Sequence, residues 1–428
     1  MDLWESETAH LKEIAMNEQI DTVIIGGGHA GLTMSYSLSA LGREHVILER
    51  GRVGERWRSE RWDSFCFQFP NWTIEAPGFK YQSDDPDAFA PGREIVRFIQ
   101  DYATFINAPT RCGVEVTSLE RRSDAGRYLL TTNNATIEAA NVVIATGPYQ
   151  RAVIPAMSSD VPKNIFQVHS SAYRNSNQLP PGAVLVVGSG ASGCQIADDL
   201  HQSGRKVYLS VGRHSRVPRR YRGQDFAYWG AALKRTEQIV DTVPMHLRKG
   251  AELLLTGANG GYDVDLRAMA ARGIVLLGHL QGMKDSDLIF ADDLEQNLAK
   301  GDESFENIKK AVYEYVTKNG LDVPEEPPSK VSPNIPSEIS SSVSHLNLKD
   351  AGVSAIVWAS GFRCDFDWVK LPIFDDGGEP VHRRGVTQLP GIYFLGLRWL
   401  YKRKSAFLLR AGPAEDAAYL AEQITARK

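Results

Sequence analysis

Glu49 and Arg213 stand at matching positions behind two glycine fingerprints, and a carboxylate and a guanidinium there select different ligands. The fingerprints are Gly26-Gly27-Gly28-His29-Ala30-Gly31 and Gly188-Ser189-Gly190-Ala191-Ser192-Gly193, 162 positions apart. In such a motif the first glycine makes a tight turn, the second lets backbone approach a pyrophosphate, and the third lets a helix pack closely on a sheet. Glu49, 18 residues past Gly31 and followed by Arg50, can accept hydrogen bonds from a ribose diol. Arg213, 20 residues past Gly193, leads a run with Arg216, Arg219, Arg220 and Arg222. A guanidinium suits a 2′-phosphate that a carboxylate would repel. The first site therefore suits FAD or NAD and the second NADPH, with NADH as the alternative reductant.

These residues need strands and helices to hold them. Around the first fingerprint the sequence reads as a strand at 21–25, a helix at 30–41 stopped by Gly42, and a strand at 45–49. Around the second it reads as a strand at 183–187, a helix at 192–203 stopped by Gly204, and a strand at 206–211. Each helix N-terminus would turn unsatisfied N–H groups and the positive end of its dipole toward phosphates. A buried-type strand runs into Ala145-Thr146-Gly147-Pro148, and a near copy runs into Ala359-Ser360-Gly361. Read as two crossings, these divide the chain into 1–150 with 361–428 as an FAD domain, and 151–360 as an inserted NADPH domain. The expected fold class is α/β, two Rossmann-like, three-layer dinucleotide-binding domains. A strand at 391–396 ending in Gly396 and a helix from Pro413 would complete the first domain, and that helix could aim its N-terminus at the flavin. The Pro-rich stretch from Pro324 to Pro336 reads as a loop excursion.

With 428 residues, 43% apolar and 23% charged, the chain can bury more than one core. A net charge of −4 gives no general attraction to nucleic acid or anionic membrane. No apolar run approaches a membrane span, and the start, with Leu3, Trp4, Leu11 and Ile14, resembles neither a signal nor a transit peptide. A cytoplasmic location is expected, with the N-terminal segment on the surface or at a subunit contact, which leaves a homodimer open. Cys66, Cys112, Cys194 and Cys364 are widely spaced, without CxxC or histidine partners at metal-ligand spacing. No metal is expected, and relay of electrons through a close cysteine pair is closed.

In this order the features resemble the flavin-containing monooxygenases, the class B flavoprotein monooxygenases that include YUCCA-like and Baeyer-Villiger enzymes, over most of the chain. The resemblance also rests on Gly54-Glu55-Arg56-Trp57 and Arg61-Trp62-Asp63-Ser64, and on His169-Ser170-Ser171-Ala172-Tyr173, which matches the end of the family motif FxGxxxHxxx(Y/F). The match is partial: Phe166 stands three positions before His169 instead of six, and the motif glycine is missing. Tyr173, where main-type Baeyer-Villiger enzymes carry Trp, favours the heteroatom-oxidising branch.

The resemblance implies that NADPH reduces FAD, that O2 adds to the flavin to give a C4a-hydroperoxide, and that one oxygen passes to a small organic substrate at N or S, with a ketone the further option. It implies that Arg56, Trp57 and Trp62 lie against the flavin and that His169 and Tyr173 shape the NADPH-side loop. It also implies that Asn71, with Gln68 as competitor, sits near the reacting edge as a hydrogen-bond partner. The alternative class is an NAD(P)H-dependent flavin oxidoreductase that passes electrons to a quinone or protein without oxygenation. Either Arg222, Asp225, Tyr228 and Trp229 or Trp399, Tyr401, Lys402 and Lys404 could line a substrate pocket.

Overall fold

The computed structural model describes residues 18–122, 126–248, 253–325, 344–408 and 412–427. The expected surface segment at Leu3 to Ile14 lies outside the described residues, as does the Pro-rich excursion beyond Glu325. The strands that position the site are, in chain order, β1 (Glu18–Ile25), β2 (His45–Glu49), β3 (Thr110–Cys112), β4 (Thr136–Ile144), β5 (Phe166–His169), β6 (Ala183–Val187), β7 (Val207–Ser210), β8 (Val275–Leu277), β9 (Val353–Trp358) and β10 (Ile392–Phe394). The longer helices are α1 (His29–Ala40), α2 (Gly92–Phe105), α3 (Ala191–Gln202), α4 (Leu294–Asn319) and α5 (Ala414–Ala426).

Apolar runs such as Val184-Leu185-Val186-Val187 carry no polar alternation, which is how strands buried on both faces read. They build two parallel sheets. The first runs β10–β4–β1–β2–β3, and the antiparallel hairpin Val116–Arg121 with Tyr128–Thr132 extends it from β4. The second runs β5–β9–β6–β7–β8. β1 and β6 hold equivalent places, each between the strand that follows its helix and the strand that runs into a crossing. Val23, Ile24, Leu32, Leu38, Phe394 and Leu420 fill the core of the first sheet, and Val186, Ile196, Leu200, Leu209 and Val357 that of the second; all are inaccessible to solvent.

The chain passes from the first sheet to the second between β4 and β5 and returns between β9 and β10. The two connections pair with each other: Arg151–Ala152 and Phe362–Arg363 form a short antiparallel ribbon. A second seam joins the stretch before Val240 to the segment after Leu400, where Val240 N donates to Tyr401 O at 2.7 Å and Arg403 N to Gln238 O at 3.0 Å. Among the described residues no helix is long and apolar enough to cross a membrane.

Candidate functional site: two nucleotide cradles

The two fingerprints fold alike to within a few tenths of an ångström in their tightest contacts. Gly26 has φ of +115° and Gly188 of +108°, a region that disfavours any side chain. An ideal Cβ on Gly26 would lie 2.6 Å from Ala145 O, and one on Gly188 would lie 2.5 Å from Ala359 O. On Gly31 and Gly193 it would strike the carbonyl oxygens of Gly26 and Gly188 at 1.9 and 1.8 Å. Ala145 N donates to Ile25 O and Ala359 N to Val187 O, both at 2.9 Å, so the two crossings seal the ends of β1 and β6 in the same way.

The middle glycines differ from the others. Gly28 (φ −85°, ψ −179°) and Gly190 (φ −69°, ψ 177°) are extended, as any residue can be, and a Cβ on either would meet nothing within 4 Å. Neither backbone strain nor packing against the described residues requires glycine there. Gly28 and Gly190 are also the N-caps of α1 and α3, and neither helix has a side-chain cap or an acidic residue in its first turn. Among the described residues no side chain caps their leading N–H groups, an anion-ready helix start. These cradles fit the pyrophosphates of two dinucleotides.

Behind the first cradle, Glu49 at the end of β2 grips both sides of the turn: Gly27 N donates to its Oε2 at 2.7 Å and Gly51 N to its Oε1 at 2.8 Å. Its remaining lone pairs can accept a ribose diol. Arg50 points to solvent, 4.0 Å from Glu115. His29, first in α1, has Nε2 buried without a hydrogen bond, and burial holds its pKa down to about 4 although a hydrogen bond with the Ala406 backbone opposes this. It is neutral at pH 7. Gly396, past β10, packs within 2.7 Å of Ala30 Cβ if given a side chain, which brings β10 to the same cradle.

Arg56, on the short helix Glu55–Ser59, pairs with Glu60 and donates to the carbonyls of Tyr149 and Gln150. Gln150 Nε2 in turn donates to Thr146 Oγ1 and Gly147 O, both at 2.8 Å. Arg56 therefore braces the Ala145-Thr146-Gly147 crossing. Sequence reading missed Gln150, because an isolated amide after Gly-Pro carries no spacing signal.

Behind the second cradle, Ser189 Oγ receives Gly212 N at 3.0 Å and so fixes the residue before Arg213. Arg213 is exposed and makes no ion pair among the described residues. The rest of the run is engaged: Arg216 with Asp265 and Asp302 at 2.7 and 2.8 Å, Arg219 with Asp225 at 2.7 Å, Arg220 with the Gly260 and Gly261 carbonyls, and Arg222 with Pro324 O. These partners turn the four away from the second cradle, and of the run Arg213 alone makes neither an ion pair nor a side-chain hydrogen bond among the described residues.

His169 is buried at the end of β5. Ser171 N donates to its Nδ1 at 3.1 Å, which leaves the proton on Nε2 to reach Gly361 O at 3.0 Å. Burial lowers its pKa. Ser360 Oγ adds a bond to Val153 O at 2.5 Å, so the second crossing is pinned from both sides. Tyr173 is wholly buried, with its hydroxyl on Asp199 Oδ2 at 2.8 Å; burial first, then Asp199, raises its pKa. It supports the loop from within and cannot touch a nucleotide directly.

One further expectation is corrected. Trp62 is 6% exposed, edge-on to Phe65 in the second core, and cannot present its face to a flavin. Asn71 donates both amide hydrogens inside its own loop, to Ser83 Oγ at 2.9 Å and Asp85 O at 3.0 Å, while its Oδ1 has no partner among the described residues, so toward a ligand it can only accept. The acids opening α5 pair within the chain, Glu415 with Lys402 and Lys404, and Asp416 with Arg384 and Ser405. Trp57 stays half-buried, with Phe65, Phe67 and the Arg61 guanidinium around its ring, and Gln68 is half-buried with its carbonyl bound by Arg219. All four cysteines are free thiols; burial pushes Cys194 up to about 12, so it stays protonated.

A model of the pyridine nucleotide-disulphide oxidoreductase family matches residues 23–242. The chain is 31% identical over 412 residues to the uncharacterized oxidoreductase CzcO-like of Geobacillus kaustophilus, covering 96% of this chain and 99% of that one. It is 27% identical over 412 residues to the probable indole-3-pyruvate monooxygenase YUCCA4 of Arabidopsis thaliana, covering 94% and 89%. Its fold is that of the flavin-containing monooxygenase from Stenotrophomonas maltophilia, with a TM-score of 0.64, 18% identity and coverage of 96% and 99%.

Proposed function

The chain belongs to the pyridine nucleotide-disulphide oxidoreductase family, and on that premise we propose that it is an FAD- and NADPH-dependent monooxygenase that oxygenates a small organic molecule at nitrogen or sulfur. Residues 1–150 with 361–428 would hold FAD, and 151–360 NADPH. The carrying observation is the pair of uncapped helix starts at Gly28 and Gly190, backed by Glu49 in one unit and the unengaged Arg213 in the other.

A bound flavin supplies the redox chemistry, taking a hydride from NADPH and activating O2. The chain's residues do the rest. The N–H groups at the starts of α1 and α3 hold the pyrophosphates, Glu49 accepts a ribose diol, and Arg213 pairs with the 2′-phosphate. Neutral His29 adds no positive charge to the first cradle. Arg56 and Gln150 hold one crossing and His169 the other, so that both strand ends keep their distance from the nucleotides. Trp57, Phe65 and Phe67 form an aromatic wall that excludes water from the adjoining space. The Gln68 side chain, or Asn71 through its Oδ1, could hydrogen-bond a reacting oxygen.

Four free cysteines at separate positions support oxygenation over relay through a disulfide. The test is NADPH-dependent O2 uptake by the FAD-loaded protein with a panel of amines and sulfides. Oxygenated product at the rate of NADPH loss supports the reading. Rapid reduction of a quinone, with no product oxygen, sinks it and favours the oxidoreductase alternative.

A further inference from the structure

A cleft of about 140 Å³ lies outside both cradles, between the loop at 72–87 and the turn at 220–228. Trp72, Asp87, Arg220, Asp225 and Tyr228 line it. Asp225 is nine-tenths buried, and only its Oδ1 is occupied, by Arg219 and by the Ala227 N–H that it caps. Among the described residues its Oδ2 is buried with no hydrogen-bond partner. A buried carboxylate oxygen in that state calls for a donor. Asp87 is exposed at the same cleft and adds a second carboxylate.

Arg220 sets the other half of the chemistry. Its Nη1 and Nη2 donate to Gly261 O and Gly260 O at 2.9 Å each, so the guanidinium is held while each nitrogen keeps a second N–H. Arg219 already balances Asp225. What remains is one anion, Asp87, one cation, Arg220, and an acceptor, Asp225 Oδ2. Two aromatic side chains, Trp72 and Tyr228, complete the lining, and the Tyr228 ring is 41% exposed. A simple cation would leave Arg220 unanswered, and a simple anion would face two carboxylates.

We propose that this cleft binds a small zwitterion of the amino-acid class, its ammonium on Asp225 Oδ2 and Asp87, its carboxylate on Arg220, and its apolar part between Trp72 and Tyr228. The assignment concerns binding alone and stands apart from the oxygenation reading.

The experiment is calorimetric titration of the FAD-loaded protein, without NADPH, with L-leucine, isoamylamine and isocaproate, which carry both charges, the ammonium alone and the carboxylate alone. L-leucine is expected to bind most tightly. Asp87→Asn and Asp225→Asn should each weaken it roughly tenfold or more, and Arg220→Gln should abolish the preference for L-leucine over isoamylamine. Asp87 is exposed, so its variant decides the matter if Asp225→Asn fails to retain FAD. No binding of L-leucine, equal binding of isocaproate or isoamylamine by the unaltered protein, or unchanged binding by Asp87→Asn overturns the proposal.

Discussion

Arg213 and Arg216 are three positions apart and look alike in the sequence, yet one is exposed without an ion pair and the other is locked between Asp265 and Asp302. Only burial separates them, and burial depends on where α4 brings Asp302. Arg213→Ala should raise KM for NADPH by roughly 10- to 100-fold and leave KM for NADH nearly unchanged, as expected for loss of one charge-assisted phosphate contact. Equal effects on both coenzymes would remove Arg213 from the phosphate site. The glycines make a second contrast. Gly28→Ala and Gly190→Ala meet no atom and no strain, so thermal unfolding should be almost unchanged while nucleotide binding falls. Gly31→Ala drives a methyl into Gly26 O and should cost at least about 1–3 kcal/mol of stability. His29 gives a pH signature. Its folded pKa, about 4, lies below its unfolded value near ~6.5, so the unfolded chain takes up the proton first. The stability tied to a neutral His29 is full above that unfolded value and declines as pH falls toward 4. In the nucleotide-free protein, His29→Gln should flatten that decline in urea titrations.

At the scale of elements, the strand, helix, strand units were legible because apolar runs, glycines and a stop at Gly42 or Gly204 all agree locally. The starts of α1 and α3 fall one residue before their expected positions. Side-chain roles set by packing and by which partner a side chain meets were not legible: Asn71 is held by its own loop, Trp62 by Phe65, and Gln150 by a crossing whose bracing arginine lies 94 positions away. The inward-facing ion pairs make elements depend on one another. Arg216→Ala takes the guanidinium from the nearly buried Asp265 while Asp302 of α4 keeps Arg267, and should cost about 3–5 kcal/mol. Glu237→Gln, in the exposed network with Lys402, Lys404 and Glu415, should cost under about 1 kcal/mol. Denaturant midpoints of the two variants check the contrast; a mild Arg216 variant would contradict it.

Over the whole molecule, the repetition of one geometry gives the functional argument its weight. Two sheets with equivalent strand orders end in two cradles whose closest contacts nearly coincide, and the connections between them lie side by side as a ribbon. That ribbon brings the segments that follow β4 and β9 side by side. The duplication was visible in the sequence; the cleft at Asp225 was not, because it joins segments more than a hundred positions apart. The measurement that tests the central claim most directly is turnover of the FAD-loaded protein with NADPH, an accepted amine or sulfide, and heavy-isotope O2, followed by mass spectrometry of the product. The account predicts one labelled oxygen atom per product and one NADPH oxidised for each. NADPH oxidation with an unlabelled or unchanged substrate, its electrons recovered in a quinone or a disulfide, would contradict it.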